Sequence, residues 1–159
     1  MIARRKDDSY SADQPVASAI VVAAGDGQRM LGIDKIMVPL VGRNLVTHTL
    51  QAFQSSLLVD RIVLVVSENR VQACNRIVKE YEFDKVDVVL IGGRRRQDSV
   101  RLGLEQLSDT NWIVVHDGAR PCLAEDLLGQ GLKAAKETGA AAAAIPVRDT
   151  IKRASHDAI

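Results

Sequence analysis

Five short runs of β-branched and small apolar residues, at 19–23, 61–66, 86–91, 112–115 and 140–145, are separated by stretches of helical period. This alternation constrains the fold more than any other feature of the chain. Strands and amphipathic helices that take turns can bury their apolar faces together as an α/β domain, with a mostly parallel, twisted sheet flanked by helices. Hydrophobic residues make up 47% of the 159 but aromatics only 3%. The core must therefore be built from Val, Ile, Leu and Ala, which suits parallel strands covered on both faces. The length allows one domain with a substantial core and is too short for two.

The intervening stretches carry their own signals. Asn44 can cap a helix bearing Leu45, Thr49 and Phe53, and Val71, Cys74, Ile77 and Val78 form the apolar stripe of a second. Asp98 is placed to cap a third helix, with Val100, Leu104 and Leu107 on one face. A fourth spans Glu125–Thr138 and ends at Gly139, a C-cap. Residues 1–15 carry Arg4, Arg5, Lys6, Asp7 and Asp8 with no apolar stretch behind the charges, so they read as tail rather than signal peptide. The expected division is a flexible tail over 1–16 and one domain over 17–159.

Several function classes are disfavoured. A formal net charge of +1 with few aromatics offers neither field nor stacking platform for nucleic acid. The apolar run at 16–24 is too short to cross a membrane. Cys74 and Cys122 lack the spacing of a metal site or redox pair, and read as buried or inert thiols in a reducing compartment. The expected location is the cytoplasm.

In an open parallel sheet, ligands bind beyond the carboxyl ends of the strands, so the loops that follow strands carry the functional reading. The first, Ala23-Ala24-Gly25-Asp26-Gly27-Gln28-Arg29-Met30, runs on to Asp34-Lys35. It is either a tight turn or an anion loop, in which small residues let backbone N–H groups approach phosphates while Arg29 and Lys35 supply charge. It is not a P-loop, which ends in Gly-Lys-Ser/Thr, and Met30 replaces the third glycine of the dinucleotide fingerprint.

The second loop, 92–99, offers Gly92 and Gly93, three arginines of which Arg96 is the one expected to face a ligand, and Ser99 at a helix start. The third, His116-Asp117-Gly118-Ala119-Arg120-Pro121, ends a strand with a carboxylate. Asp117 either serves a Mg²⁺ ion shared with substrate phosphates or closes the turn by pairing with Arg120. His116 reads as structural, and nothing around it, His48 or His156 has zinc spacing. In the fourth, 146–152, Thr150 and Lys152 could hold a second anion or simply lie on an exposed edge. Together these loops contain cations, a carboxylate and hydroxyls but no nucleophile paired with a base. That mix suits reaction between two phosphates, since a phosphate monoester with second pKa about 6 is already nucleophilic near neutral pH.

From about residue 17 to 152 the chain resembles the 2-C-methyl-D-erythritol 4-phosphate cytidylyltransferases of non-mevalonate isoprenoid biosynthesis. The resemblance is carried by Ala-Ala-Gly-x-Gly-x-Arg-Met, the loop lysine, Gly-Gly-x-x-Arg-x-Asp-Ser-Val, His-Asp-Gly-Ala-Arg-Pro and Pro-Val-x-Asp-Thr-x-Lys, in that order. It implies a Rossmann-like, glycosyltransferase-A-like nucleotidyltransferase fold. It further implies CTP over Ala23, Ala24, Gly25, Gly27, Gly93, Arg96, Ser99 and Gly118, with Arg29 and Lys35 stabilising the transition state. Asp117 would serve Mg²⁺, and Arg120, Thr150 and Lys152 would hold the sugar-alcohol phosphate. The family pairs subunits as a homodimer through an arm beyond the last motif, followed by a section with further basic groups for the acceptor. Because this chain ends at Ile159, the resemblance implies a domain truncated at the start of that arm. Ribitol-5-phosphate cytidylyltransferase and a non-catalytic CTP-binding remnant are the alternatives.

Overall fold

The computed structural model describes residues 2–4, 16–25 and 34–148. Its main sheet has six strands in the order β6-β5-β2-β7-β1-β8. These are β1 (Ile2–Arg4), β2 (Ala17–Ala23), β5 (Val59–Val66), β6 (Val86–Ile91), β7 (Trp112–Asp117) and β8 (Ala140–Ala141). A separate two-stranded ribbon joins β3 (Pro39–Leu40) to β4 (Arg43–Asn44). The helices are α1 (Leu45–Ser55), α2 (Val71–Glu80), α3 (Arg96–Glu105) and α4 (Glu125–Thr138). Strands β6, β5, β2 and β7 run parallel, and β1 is antiparallel to both of its neighbours. No helix among the described residues is long and apolar enough to cross a membrane.

The chain steps outward from β2 to β5 to β6 and then returns to β7 on the far side of β2. Right-handed crossovers require the outward and returning helices to lie on opposite faces. They do. Residues Ala19, Val21, Ile62 and Leu64 share one core with Leu50 and Phe53 of α1, Cys74 and Ile77 of α2, and Leu128 and Leu132 of α4. Ile20, Val63, Val65 and Ile113 point the other way and meet Leu104 of α3 and Leu107 just beyond it. Period-2 alternation within β2 thus feeds two cores, which is why its buried run has no polar face. Gly103 allows α3 to press close, since a Cβ there would lie 2.7 Å from Ile20 Cγ2. The reversal leaves a crevice at the carboxyl ends of β2 and β7, the switch point where such sheets bind ligands.

Several local expectations need correction. Asn44 is the N-cap of α1, but its side chain makes no capping hydrogen bond. Asp98 is the third residue of α3 rather than its cap: α3 starts at Arg96, and Asp98 Oδ2 accepts from the Arg95 N–H at 3.1 Å. This is the carboxylate half of a capping box. The last strand is Ala140–Ala141 alone, not 140–145, because residues 142–148 have no partner strand among the described residues. Within the segment expected as a tail, Ile2–Arg4 pair with β7 and β8. Gly139 closes α4 at φ 85°, as its composition predicts.

Candidate active site

The loops at the carboxyl ends of β2, β5, β6 and β7 enclose a cleft of about 710 Å³. Its floor depends on close approach. A Cβ on Gly92 would fall onto Ala24 Cβ and Ser99 Oγ, and one on Gly118 would lie 2.8 Å from Ala23 Cβ. Ala23 and Ala24 can therefore touch both neighbouring loops, which a larger side chain would prevent.

Beside this floor, Lys35 begins a single 3₁₀ turn, Lys35–Met37, anchored by buried Ile36. On the β6 side the Gly93 N–H donates to Ser99 Oγ at 3.1 Å, and Ser99 is itself buried. Arg95 is held by Asp98, with Nη2 2.9 Å from Oδ1. On the β7 side Asp117 is gripped by two arginines: Oδ1 accepts from Arg96 Nη2 at 2.8 Å, and Oδ2 lies 3.0 Å from Arg120 Nε. Burial pushes the Asp117 carboxyl up, but the hydrogen bond and charge of Arg96 with the charge of Arg120 outweigh it, leaving the group below its ordinary value. Of the two expectations for Asp117 the pairing with Arg120 is present, and the carboxylate also lines the cleft.

Of the residues singled out from sequence, Ala23, Ala24, Gly25, Lys35, Gly93, Arg96, Ser99, Asp117 and Arg120 line the same cleft. Gly118 does not line it. Its N–H donates to the Val22 carbonyl at 2.8 Å and its own carbonyl accepts from Thr49 Oγ1 at 2.9 Å, so it shapes the wall from behind. Gly27, Arg29, Thr150 and Lys152 lie outside the described residues. His116 packs its ring edge against Phe53 at 5.2 Å, and Nδ1 finds no hydrogen-bond partner among the described residues. His48 Nε2 lies 2.7 Å from the Leu40 carbonyl, tying the β3–β4 ribbon to α1. Cys74 is buried as expected, whereas Cys122 is exposed.

Sequence reasoning missed Arg70, which reaches the cleft from the end of the loop after β5. That loop sits at the same edge as the others, so the rule that singled out four loops would also have reached 67–70. Counting Arg70, the described lining carries six basic side chains, Lys35, Arg70, Arg94, Arg95, Arg96 and Arg120, against one carboxylate, Asp117. In a chain of net charge +1 this is a strong local concentration. It creates a field for a polyanion.

The mostly parallel sheet with a basic cleft at its switch point is a Rossmann-like fold of the nucleotidyltransferase type. The chain belongs to the IspD family, 2-C-methyl-D-erythritol 4-phosphate cytidylyltransferase, which it matches over residues 17–159. It is 49% identical over 141 residues to the enzyme of that name from Dehalococcoides mccartyi strain CBDB1, covering 89% of this chain and 62% of the relative. A Shouchella clausii relative of the same name is 41% identical over 143 residues, with the same coverages. The solved 4-diphosphocytidyl-2C-methyl-D-erythritol synthase of Anaerococcus prevotii superposes with TM-score 0.75 at 25% identity, over 92% of this chain and 63% of that one. The chain thus spans somewhat less than two thirds of the length of these relatives.

Proposed function

We propose that this domain binds CTP in the cleft and transfers its cytidylyl group to 2-C-methyl-D-erythritol 4-phosphate, giving CDP-methylerythritol and pyrophosphate. The observation that carries the reading is the charge of the cleft, six cations against Asp117 in the lining and Asp34 and Asp98 behind it, around a floor of Ala23, Ala24 and Gly25. Such a lining suits a triphosphate meeting a second phosphate. The acceptor phosphate attacks the α-phosphorus, the bond to the β-phosphate oxygen breaks, and pyrophosphate leaves with that electron pair. No side chain has to remove a proton, because the acceptor is largely dianionic at neutral pH.

Catalysis then consists of positioning and charge neutralisation. Lys35, and Arg29 by the sequence reading, counter the charge that builds on the phosphates. Arg120, in the cleft lining, is assigned to the acceptor phosphate with Thr150 and Lys152 by the sequence reading. Asp117 is the hard oxygen donor in the cleft lining that would hold a divalent cation such as Mg²⁺, and to do so it would exchange an arginine partner, since Oδ1 accepts from Arg96 and Oδ2 pairs with Arg120. When bound, that ion supplies further neutralisation of phosphate charge.

The test is pyrophosphate release from CTP with Mg²⁺, with methylerythritol phosphate and ribitol 5-phosphate added in parallel. Release with the former alone is expected. Release with ribitol 5-phosphate alone would reassign the acceptor, and CTP binding without release in either case would reduce the domain to a nucleotide-binding module.

A further inference from the structure

We infer that Arg70 is a positioning residue that locks the start of the loop after β2, residues 23–25, to the turn bearing Lys35. Its side chain is only 9% exposed, and its donors are divided between two segments of chain. Nε bonds Asp34 Oδ2 at 2.7 Å, while Nη1 donates to the Ala23 carbonyl at 3.2 Å and the Gly25 carbonyl at 3.1 Å. Asp34 is the N-cap of the 3₁₀ turn that begins at Lys35, and its carbonyl accepts from the Met37 N–H at 3.0 Å. One planar guanidinium therefore fixes the loop backbone on one side and the residue before Lys35 on the other.

The need for such a clamp follows from the loop's composition. Ala23, Ala24 and Gly25 have no side chains able to hold their peptide planes, and a Cβ placed on Gly25 would meet nothing within 4 Å among the described residues. In a trans peptide the C=O and N–H point in opposite directions, so holding the Ala23 carbonyl also sets the direction of the Ala24 N–H. Preorganised donors lower the reorganisation needed when a charged transition state forms. A fork of rigid N–H groups can bridge three acceptors, which a lysine ammonium on a flexible stem does less well. Burying the Arg70 guanidinium is costly in desolvation, and its pair with the partly exposed Asp34 is weak as a stability device, which favours a role in geometry.

This inference deepens the transferase reading and rests on it, so the experiment separates the two. Arg70→Met, Arg70→Lys, Asp34→Asn and the Arg70→Met/Asp34→Asn double variant are compared with the unaltered chain, first by hydrogen exchange without ligand. Arg70→Met is expected to speed exchange about tenfold at 23–25 and 35–37, leaving the β5 and β7 amides unchanged. In pyrophosphate release, turnover should fall about 100-fold with a smaller change in KM for CTP, as a misplacement on the scale of 1 Å would produce. Arg70→Lys should recover part of the loss, and the double variant should be no worse than Arg70→Met alone. Unchanged exchange at both segments, or a uniform rise across the sheet with turnover per folded molecule intact, would overturn the clamp. If the unaltered chain releases no pyrophosphate with either acceptor, the transferase reading fails, while the exchange data still decide whether Arg70 locks the two segments together.

Discussion

The two ends of the sheet treat charge in opposite ways. At the amino ends of the strands Arg61 reaches Asp87 at 2.6 Å and Asp109 at 3.0 Å, and Asp60 accepts from Ser18 Oγ at 3.1 Å. The small hollow there, about 100 Å³, is lined by Asp60, Arg61 and Asp109, all already engaged with one another or with neighbours. At the carboxyl ends six basic side chains of the described lining meet three carboxylates, Arg70 pairing with Asp34, Arg95 with Asp98, and Arg96 and Arg120 sharing Asp117, so positive charge remains in excess. A closed network needs no visitor. An unbalanced one gains most when an anion arrives, and it is also the end that the strand reversal leaves open.

Substitutions can break or sharpen this contrast. Lys35→Met should lower turnover by about 100- to 1000-fold while the melting temperature stays put and CTP affinity changes far less. Steady-state pyrophosphate release beside a calorimetric CTP titration measures both, and equal losses would remove Lys35 from the transition-state role. Gly92→Ala tests whether the cleft floor is as tight as it looks. The added Cβ overlaps Ala24 and Ser99, so denaturant unfolding should show a loss of about 1–3 kcal/mol together with weaker CTP binding.

At the opposite end, Arg61→Ala should leave turnover unaltered and lower stability by at most about 1 kcal/mol, as for partly exposed ion pairs. A large fall in activity would erase the distinction between the two ends. The smallest effect concerns His116, beneath the cleft. Burial lowers its pKa, partly offset by the charge of Asp117, so the folded chain holds a neutral ring while the unfolded chain takes up a proton near pH 6.5. Its contribution to stability is complete above that value and is lost as pH falls toward the folded pKa. His116→Asn should therefore make the melting temperature less steep between about pH 7 and pH 5.

Much of this was legible in the chain. The strands at 86–91 and 112–115, the helix Glu125–Thr138 and its Gly139 cap follow from period and turn chemistry, which act locally. Ala24, Gly93 and Asp117 were legible because small residues and a carboxylate at strand ends have few other uses. Arg70 was not, because its importance lies in three acceptors that folding brings together from 23, 25 and 34. Asp98 lies three positions beyond the cap, Arg95, because a carboxylate at the third helical position serves N–H groups of the same helix start. The two-residue length of β8 was equally invisible, since a strand extends only as far as its partner.

That partner gives the topology a temporal consequence. β8 joins the sheet only through β1, with Ile2 opposite Ala141 and Ala3 opposite Ala140, while β1 also pairs with β7. β1 cannot take its place in the sheet until β7, far along the chain, is present to receive it, and β8 cannot join until β1 has done so. Contacts of such long sequence separation form late, because loop closure must precede the reward of pairing. The four parallel strands and the crevice at their switch point can be assembled before that edge closes.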